Sequence, residues 1–155
     1  MRPFALVDRF RRLSPAHRRL IGRALVLVPL ARLGLWIVPY GRVRRMMSVS
    51  RRDPESTAAG ARPRATARHT PGEIAWAVRA VSRRVPAASC LTQALAAQRL
   101  LAQDGYPSRL QIGVARSPTG TFEAHAWLEC EGRIVIGEID DLTRFTPMVP
   151  AGDEP

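Results

Sequence analysis

The sequence predicts an α+β fold in which helices come first and an antiparallel sheet follows. Three observations predict it. Apolar residues recur at helical spacing in the first two thirds of the chain, the period changes to two after Pro107, and turn signals separate the alternating segments. With 155 residues, 46% of them apolar, the chain is long enough for one domain with a substantial core.

The charge is divided unevenly along the chain. All 24 basic residues are Arg, and the net charge is +11. Residues 1–84 hold 19 Arg and 4 acidic residues, whereas residues 85–155 hold 5 Arg and 9 acidic residues. A solvated surface, a docking face for an acidic partner and a membrane-surface contact all stay open for the basic half. Nucleic-acid binding is not expected, because the arginines are not interleaved with stacking aromatic residues and no reader motif appears.

Residues 1–48 are predicted to be a basic helical segment. Ser14-Pro15 is typical of an N-cap followed by a first-turn proline, and Pro29 is expected to interrupt the helix. The longest uncharged runs have eight or nine residues, short of the 18 or more that a membrane span requires. We therefore expect a cytoplasmic protein, with the alternative that residues 20–45 lie against a membrane surface.

Three further segments complete the predicted organisation. Residues 49–69 have almost no large apolar residue and are predicted to be a linker or loop. Residues 70–150 form the core domain, and residues 151–155 are a tail. His17 and His69 have basic surroundings in sequence, so we expect both to be exposed to solvent.

The core domain opens with two helices that have clear boundary signals. Thr70-Pro71-Gly72-Glu73 is a capping box with proline at the first helical position, and the helix that it opens stops before Pro86. Ser89 is placed to cap a second helix, residues 90–103, which ends at Asp104-Gly105.

Alternating segments then predict a sheet. Apolar and small residues alternate from Leu110 to Val114 and again over residues 122–130, and Glu131-Gly132 separates the latter from residues 133–136 as a tight hairpin. A catalytic helix packed on a small antiparallel sheet is the expected arrangement.

The hairpin register predicts an imidazole beside a carboxylate. With a two-residue loop, Trp127 lies opposite Ile136 and His125 opposite Glu138. A carboxylate that accepts a hydrogen bond from one ring nitrogen fixes the tautomer and stabilises the imidazolium. Asp140, predicted opposite Glu123 on the same face, is the fallback for this role.

Cys90 is the candidate nucleophile. It lies in the first turn of a predicted helix, where unpaired N–H groups and the helix dipole stabilise a thiolate. Cysteine, histidine and carboxylate in this chain order are typical of papain-type enzymes. The alternative is structural: Cys90 fills the core, His125 is a half-buried strand residue and Glu138 is a surface charge.

Other sites are not indicated by the sequence. Cys130 lies five residues from His125, so it points to the opposite face of the strand and is predicted to be core. No ligand pair has zinc-type spacing and no glycine-rich phosphate loop is present, so neither a metal nor a cofactor is expected.

The sequence resembles the transglutaminase-like cysteine peptidases that remove the leader from lasso-peptide precursors, in their stand-alone form. The likeness covers roughly residues 70–150. It rests on Cys90 at a helix start, Gly113-Val114, the strand Ala124-His125-Ala126-Trp127-Leu128-Glu129, and Gly137-Glu138. It implies a transglutaminase-like or papain-like core with Cys90 as nucleophile, His125 as general base and acid, and Glu138 as the orienting residue.

The resemblance also implies a reaction and partners. The substrate would be a precursor peptide made of leader and core, which is hydrolysed through a thioester acyl-enzyme. A separate small leader-recognition protein and an ATP-dependent lasso cyclase would act with the enzyme, which is expected to be nearly inactive alone. Two alternatives stay open: another transglutaminase-like acyl transfer such as amide cross-linking, and a non-catalytic basic adaptor that binds peptide or membrane.

Overall fold

Three helices and a four-stranded antiparallel sheet make up the protein, which confirms the predicted α+β class. The computed structural model describes residues 13–37 and 67–148. The predicted helical residues 1–12 and 38–48, the linker up to residue 66 and the tail lie outside the described residues. The elements are α1 Pro15–Ile37, α2 Pro71–Ser82, α3 Cys90–Gln103, β1 Ser108–Arg116, β2 Phe122–Cys130, β3 Arg133–Ile136, a 3-10 turn Leu142–Arg144 and β4 Thr146–Pro147.

Helix α1 begins as predicted but does not stop at Pro29. The Ser14 hydroxyl accepts a hydrogen bond from the His17 N–H at 3.2 Å, so Ser14 caps the helix. The helix then continues through Pro29 to Ile37, and the predicted interruption is wrong. Pro29 and Leu25 are both exposed, so the Leu25 carbonyl, which loses its helical donor, is on the side open to water.

Helices α2 and α3 begin at the predicted caps. Thr70 and Glu73 form the reciprocal capping box: the Thr70 N–H donates to the Glu73 carboxylate at 2.7 Å, and the Glu73 N–H donates to the Thr70 hydroxyl at 3.2 Å. The Ser89 hydroxyl accepts from the Thr92 N–H at 3.3 Å at the start of α3. These local bonds explain why both start points could be predicted from the sequence.

The sheet has the strand order β3-β2-β1-β4, with β1 and β2 at its centre. In the β1–β2 ladder Gly113 lies opposite His125. The β2–β3 hairpin turns at Glu131 and Gly132, with φ of 51° and 74°, which is the two-residue loop that the sequence predicted. One face of this sheet carries the helices.

The two faces of β2 enter different cores. Leu128 and Cys130 belong to the main core, where the sheet packs against α1, α2 and α3. Trp127 faces the other way and packs with Ala115 and Phe145 in a smaller cluster. Side chains alternate along a strand, so His125 lies on the Trp127 face, away from the helices.

A buried polar network ties the three helices together. Asp104, which follows α3, accepts hydrogen bonds from Arg23 of α1 at 3.2 Å and from His69 Nδ1, just before α2, at 2.8 Å. The other nitrogen of His69 lies 3.2 Å from the carbonyl oxygen of Ala16. His69 is therefore buried, and the expectation that it is exposed to solvent is wrong. His17 remains partly exposed.

Candidate active site

Cys90 is the first residue of α3 and directly follows the cap residue Ser89. Its thiol is free and half-buried, so solvent reaches it. The first N–H groups of a helix have no intrahelical acceptor, and together with the helix dipole they favour an anion at this position. A thiolate or a developing oxyanion would be stabilised here.

His125 lies on β2 with its ring held at one nitrogen. Nε2 is 2.7 Å from the carbonyl oxygen of Gly137. A carbonyl can only accept, so Nε2 carries the proton and Nδ1 of the neutral ring is the free acceptor. The Phe145 ring packs at a centroid distance of 5.5 Å, and the Trp127 ring is stacked at 6.4 Å. This arrangement fixes both the tautomer and the ring position.

The predicted register between β2 and β3 is wrong by one residue beyond the turn. Cys130 lies opposite Arg133 as predicted, but Leu128, not Trp127, lies opposite Ile136. The cause is a β-bulge between Leu128 and Glu129, which leaves one extra residue on β3. A shift of one residue moves every later side chain to the other face.

The register shift also changes the position of Glu138. Beyond β3 the bulged register would bring Glu138 opposite Ala126 rather than His125. Glu138 is exposed and lines a cavity of about 600 Å³ between the N-terminal part of α2 and the β2–β3 hairpin, together with Cys130 and Arg79. The cross-strand argument for a His125–Glu138 pair therefore fails, and the orienting role of Glu138 rests on the resemblance alone.

Asp140 lies in the exposed turn before the 3-10 segment, outside any strand. Its predicted neighbour Glu123 instead forms an ion pair with Arg144, which also binds Asp141 at 2.5 Å. Within the described ranges neither Glu138 nor Asp140 makes a hydrogen bond to His125, and Cys90 makes none to it either. The acceptor that His125 does have is the backbone of Gly137.

Two glycines shape this site, and a role in holding His125 was predicted for neither of them. A Cβ on Gly113 would lie 2.9 Å from the Trp127 ring and 3.0 Å from Phe145. A Cβ on Gly137, whose φ is +83°, would lie 2.5 Å from the Ala126 carbonyl oxygen. A glycine inside a strand is a sequence signal of such close approach. Both glycines allow the rings and the backbone to close around His125.

Cys130 behaves as the structural cysteine that the sequence predicted. It is 3% exposed, within the main core. Burial raises the pKa of its thiol to about 11, with a smaller contribution from Glu131. Cys130 is thus protonated at neutral pH, which leaves Cys90 as the accessible thiol.

No cluster of three His, Cys, Asp or Glu side chains that could hold a metal ion occurs within residues 13–37 and 67–148. The chemistry that the described residues offer is a solvent-accessible thiol at a helix start and a histidine with a defined tautomer. These are the groups that nucleophilic acyl transfer uses.

Comparison with known proteins shows the family to which this chain belongs. Residues 24–150 match the transglutaminase-like superfamily, so the matched range begins within α1 and includes the whole sheet. No curated protein and no solved structure matches the chain. Because the match covers most of its length, the chain belongs to the transglutaminase-like superfamily, whose members are typically cysteine peptidases or acyl transferases.

Proposed function

We propose that the protein is a cysteine peptidase that removes the leader from a ribosomally made lasso-peptide precursor. Cys90 is the nucleophile, His125 the general base and acid, and Glu138 the third catalytic residue, with Asp140 as the alternative. The family match supports thiol-dependent acyl chemistry, and the leader-peptidase role is supported by the sequence motifs around these residues.

The single observation that carries the proposal is the position of Cys90 at the capped start of α3. Ser89 takes up the Thr92 N–H, and the thiol at the first helical residue remains accessible. The helix N-terminus stabilises a thiolate, and its N–H groups are donors for the oxyanion of a tetrahedral intermediate. A purely structural cysteine would instead be buried, as Cys130 is.

The layout of α3 and β1 supports the partnership with His125. Only four residues join α3 to β1, and Leu95 and Leu110 share one small apolar cluster. Along the axis of α3, Cys90 is about 7.5 Å from Leu95, on the side away from the α3–β1 connection. Along β1, Gly113 is about 10 Å from Leu110, also on the side away from that connection. Gly113 is paired with His125, so Cys90 and His125 lie toward the same end of the domain, with the His125 side chain on the sheet face opposite to α3.

The proposed reaction needs both states of the His125 ring. Nδ1 takes the proton from Cys90, the thiolate attacks the carbonyl at the leader–core junction, and the leader becomes a thioester on Cys90. The imidazolium then donates its proton to the departing amine of the core peptide. Water, activated by His125, hydrolyses the thioester and releases the leader with a free carboxyl group.

A separate partner protein fits this arrangement. Cys90 and His125 share no hydrogen bond in the described part of the chain, and His125 faces away from the helices. Proton transfer therefore requires β2 to rearrange so that the His125 ring reaches the side of the sheet on which Cys90 lies. We propose that docking of a small leader-recognition protein with its precursor peptide drives this movement, upstream of an ATP-dependent cyclase.

The test is a precursor-cleavage assay with and without the leader-recognition protein. We expect cleavage only with the partner, and complete loss in Cys90→Ala with peptide binding retained. Cys130→Ser is the matched control, since it removes the other thiol and should cost stability but not chemistry. Full cleavage by Cys90→Ala, or a well-folded but inactive Cys130→Ser protein, would overturn the assignment.

The third catalytic residue is tested by Glu138→Gln and Asp140→Asn, two exposed isosteric changes. On the catalytic role that the resemblance implies for Glu138, we expect Glu138→Gln to slow turnover by about 100-fold or more because the imidazolium loses its counter-charge, and Asp140→Asn to have little effect. The reverse result would assign the role to Asp140. Normal turnover in both would leave the Gly137 carbonyl as the acceptor that orients His125.

Amide cross-linking is the other reaction that the superfamily match allows, because an amine can replace water in deacylation. Mass spectrometry of the products distinguishes them. A free leader carboxylate indicates hydrolysis, and a leader joined to an amine indicates transfer. Precursor binding without any thiol-dependent product would instead support a non-catalytic adaptor.

A further inference from the structure

Helix α1 is apolar on two opposite sides. Leu20, Ala24, Val28 and Ala31 are buried in the core at helical spacing. On the other side six large apolar residues are 50–78% exposed, and we call them the α1 apolar stripe: Leu25, Val26, Leu30, Leu33, Trp36 and Ile37. An exposed run of this size is unusual for a soluble surface and typical of a docking site.

The charge around the stripe has one sign. Residues 9–52 contain twelve Arg and no Asp or Glu. Within α1, Arg18 and Arg19 are exposed one to two turns before the stripe begins. A surface that combines apolar side chains with exposed arginines is complementary to an anionic lipid layer, which offers both hydrocarbon and negative headgroups.

Contrary to the expectation from its short uncharged runs, the helix Pro15–Ile37 is long and apolar enough to cross a membrane by length and composition. Its packing, however, ties one side to the rest of the domain: Arg23 binds Asp104 and Gln103, and Leu20, Ala24 and Val28 fill the main core. A helix that spans a bilayer would have to give up these contacts. A helix that lies in the plane of the membrane keeps them and buries only the stripe.

We propose that the α1 apolar stripe docks on an anionic membrane surface, with α1 parallel to the bilayer and the core domain on the aqueous side. Trp36, the most exposed of the large apolar residues, lies near the C-terminal end of the helix. Its ring has an apolar body and one N–H donor, which suits the boundary between headgroups and acyl chains. This surface is separate from the proposed peptidase chemistry.

The experiment is co-sedimentation of the full-length protein with two kinds of vesicle, pure phosphatidylcholine and an equimolar mixture with phosphatidylglycerol. We expect binding to the anionic vesicles that weakens as salt is added, and little binding to the neutral ones. The triple variant Leu30→Gln/Leu33→Gln/Trp36→Gln should bind more than tenfold more weakly. Phe122→Gln, which alters a 75% exposed residue on β2, is the matched control and should bind normally.

A second pair of variants separates charge from apolar contact. Arg18→Gln/Arg19→Gln should weaken binding to anionic vesicles several-fold. Arg83→Gln/Arg84→Gln removes the same charge from an equally exposed pair after α2 and should have a smaller effect. Equal losses in the two double variants would contradict a surface centred on α1.

Three results would overturn the proposal. The first is equal vesicle binding by the triple variant and the original protein. The second is absence of vesicle binding together with a protein complex that the triple variant abolishes. That complex would be either a concentration-dependent dimer or an assembly with the leader-recognition protein, and the stripe would then be a protein interface. The third is retention in cell membranes after alkaline carbonate washing, which would indicate a spanning helix. Circular dichroism of each variant checks that it is folded.

Discussion

His125 Nε2 donates a hydrogen bond to the carbonyl oxygen of Gly137 at 2.7 Å. The acceptor that fixes the tautomer of this histidine is thus a backbone group, one residue before the carboxylate that the sequence suggested. Papain-like and transglutaminase-like chemistry needs the other ring nitrogen free to accept a proton from the thiol, and this bond leaves Nδ1 free. Gly137 therefore acts as a positioning residue for His125 through its main chain.

Gly137→Ala should destabilise the protein and disturb His125. An alanine there would need a φ near +83° and would place its Cβ 2.5 Å from the Ala126 carbonyl oxygen. We expect a loss of about 2–4 kcal/mol in the free energy of unfolding, from backbone strain plus the clash. Urea denaturation measures it.

Gly120→Ala is the matched control for this change. Gly120 has nearly the same φ, +84°, but nothing lies within 4 Å of the added Cβ. It should lose only about 1–2 kcal/mol from the backbone conformation. Equal losses in the two variants would show that the close approach of Gly137 to β2 has no energetic consequence.

The two cysteines should differ sharply in reactivity. Cys130 is buried and its thiol pKa is raised to about 11, so at pH 8 only about one molecule in a thousand carries the thiolate there. Iodoacetamide should therefore modify Cys90 in the folded protein and Cys130 only after unfolding. Peptide mapping by mass spectrometry identifies the modified residue. Modification of Cys130 first would contradict the assignment of Cys90 as the accessible nucleophile.

Removal of the buried carboxylate of Asp104 should strongly lower the stability of the protein. Asp104→Ala leaves Arg23 and His69 without their common acceptor inside the helical layer. We expect a loss of about 3–5 kcal/mol in the free energy of unfolding, because removing one partner leaves the others unpaired. Asp141→Ala breaks an exposed, solvent-screened ion pair with Arg144 and should cost far less stability than Asp104→Ala. Similar losses in both would refute a structural role for the buried network.

The capping box at α2 should make stability depend on pH in the acidic range. The Thr70 N–H bond to Glu73 lowers the pKa of that carboxyl from its ordinary value. Because this pKa is lower in the folded state, the carboxylate of Glu73 stabilises the folded protein fully at a pH above the pKa of the unfolded state. The stabilisation disappears as the pH falls through the pKa of the folded state. Thermal unfolding between pH 6 and pH 3 should show a loss that Glu73→Gln reduces. Thr70→Ala should cost about 1 kcal/mol at neutral pH. An unchanged acid profile in Glu73→Gln would contradict this cause.

Local signals predicted the elements well. All three predicted cap residues, Ser14, Thr70 and Ser89, follow from hydrogen bonds that span only a few residues. Local periodicity and turn signals likewise account for the bounds of α3, β2 and β3, the two-residue hairpin loop and the buried position of Cys130. Such features are decided by neighbours in sequence, so they can be recognised without the fold.

The predictions that were wrong concern residues whose contacts lie far away in sequence. Pro29 does not end α1 because the packing of Ala24 and Val28 before it and of Ala31 after it holds both parts of the helix against the core. His69 is buried because Asp104, 35 residues later, accepts a hydrogen bond from its Nδ1. Tertiary contacts of this kind override local propensity.

The sequence by itself determined which elements form, where they begin, and which thiol stands at a helix start. Only the tertiary structure decided what the histidine and the carboxylates face. One extra residue on β3 turns Glu138 toward the helical side and brings the Gly137 carbonyl to His125 instead. The physical reason is that side chains alternate along a strand, so a single bulge moves every later residue to the opposite face of the sheet. The bulge is stabilised by packing on both sheet faces and does not change the spacing of the motif residues, so it cannot be recognised from the sequence.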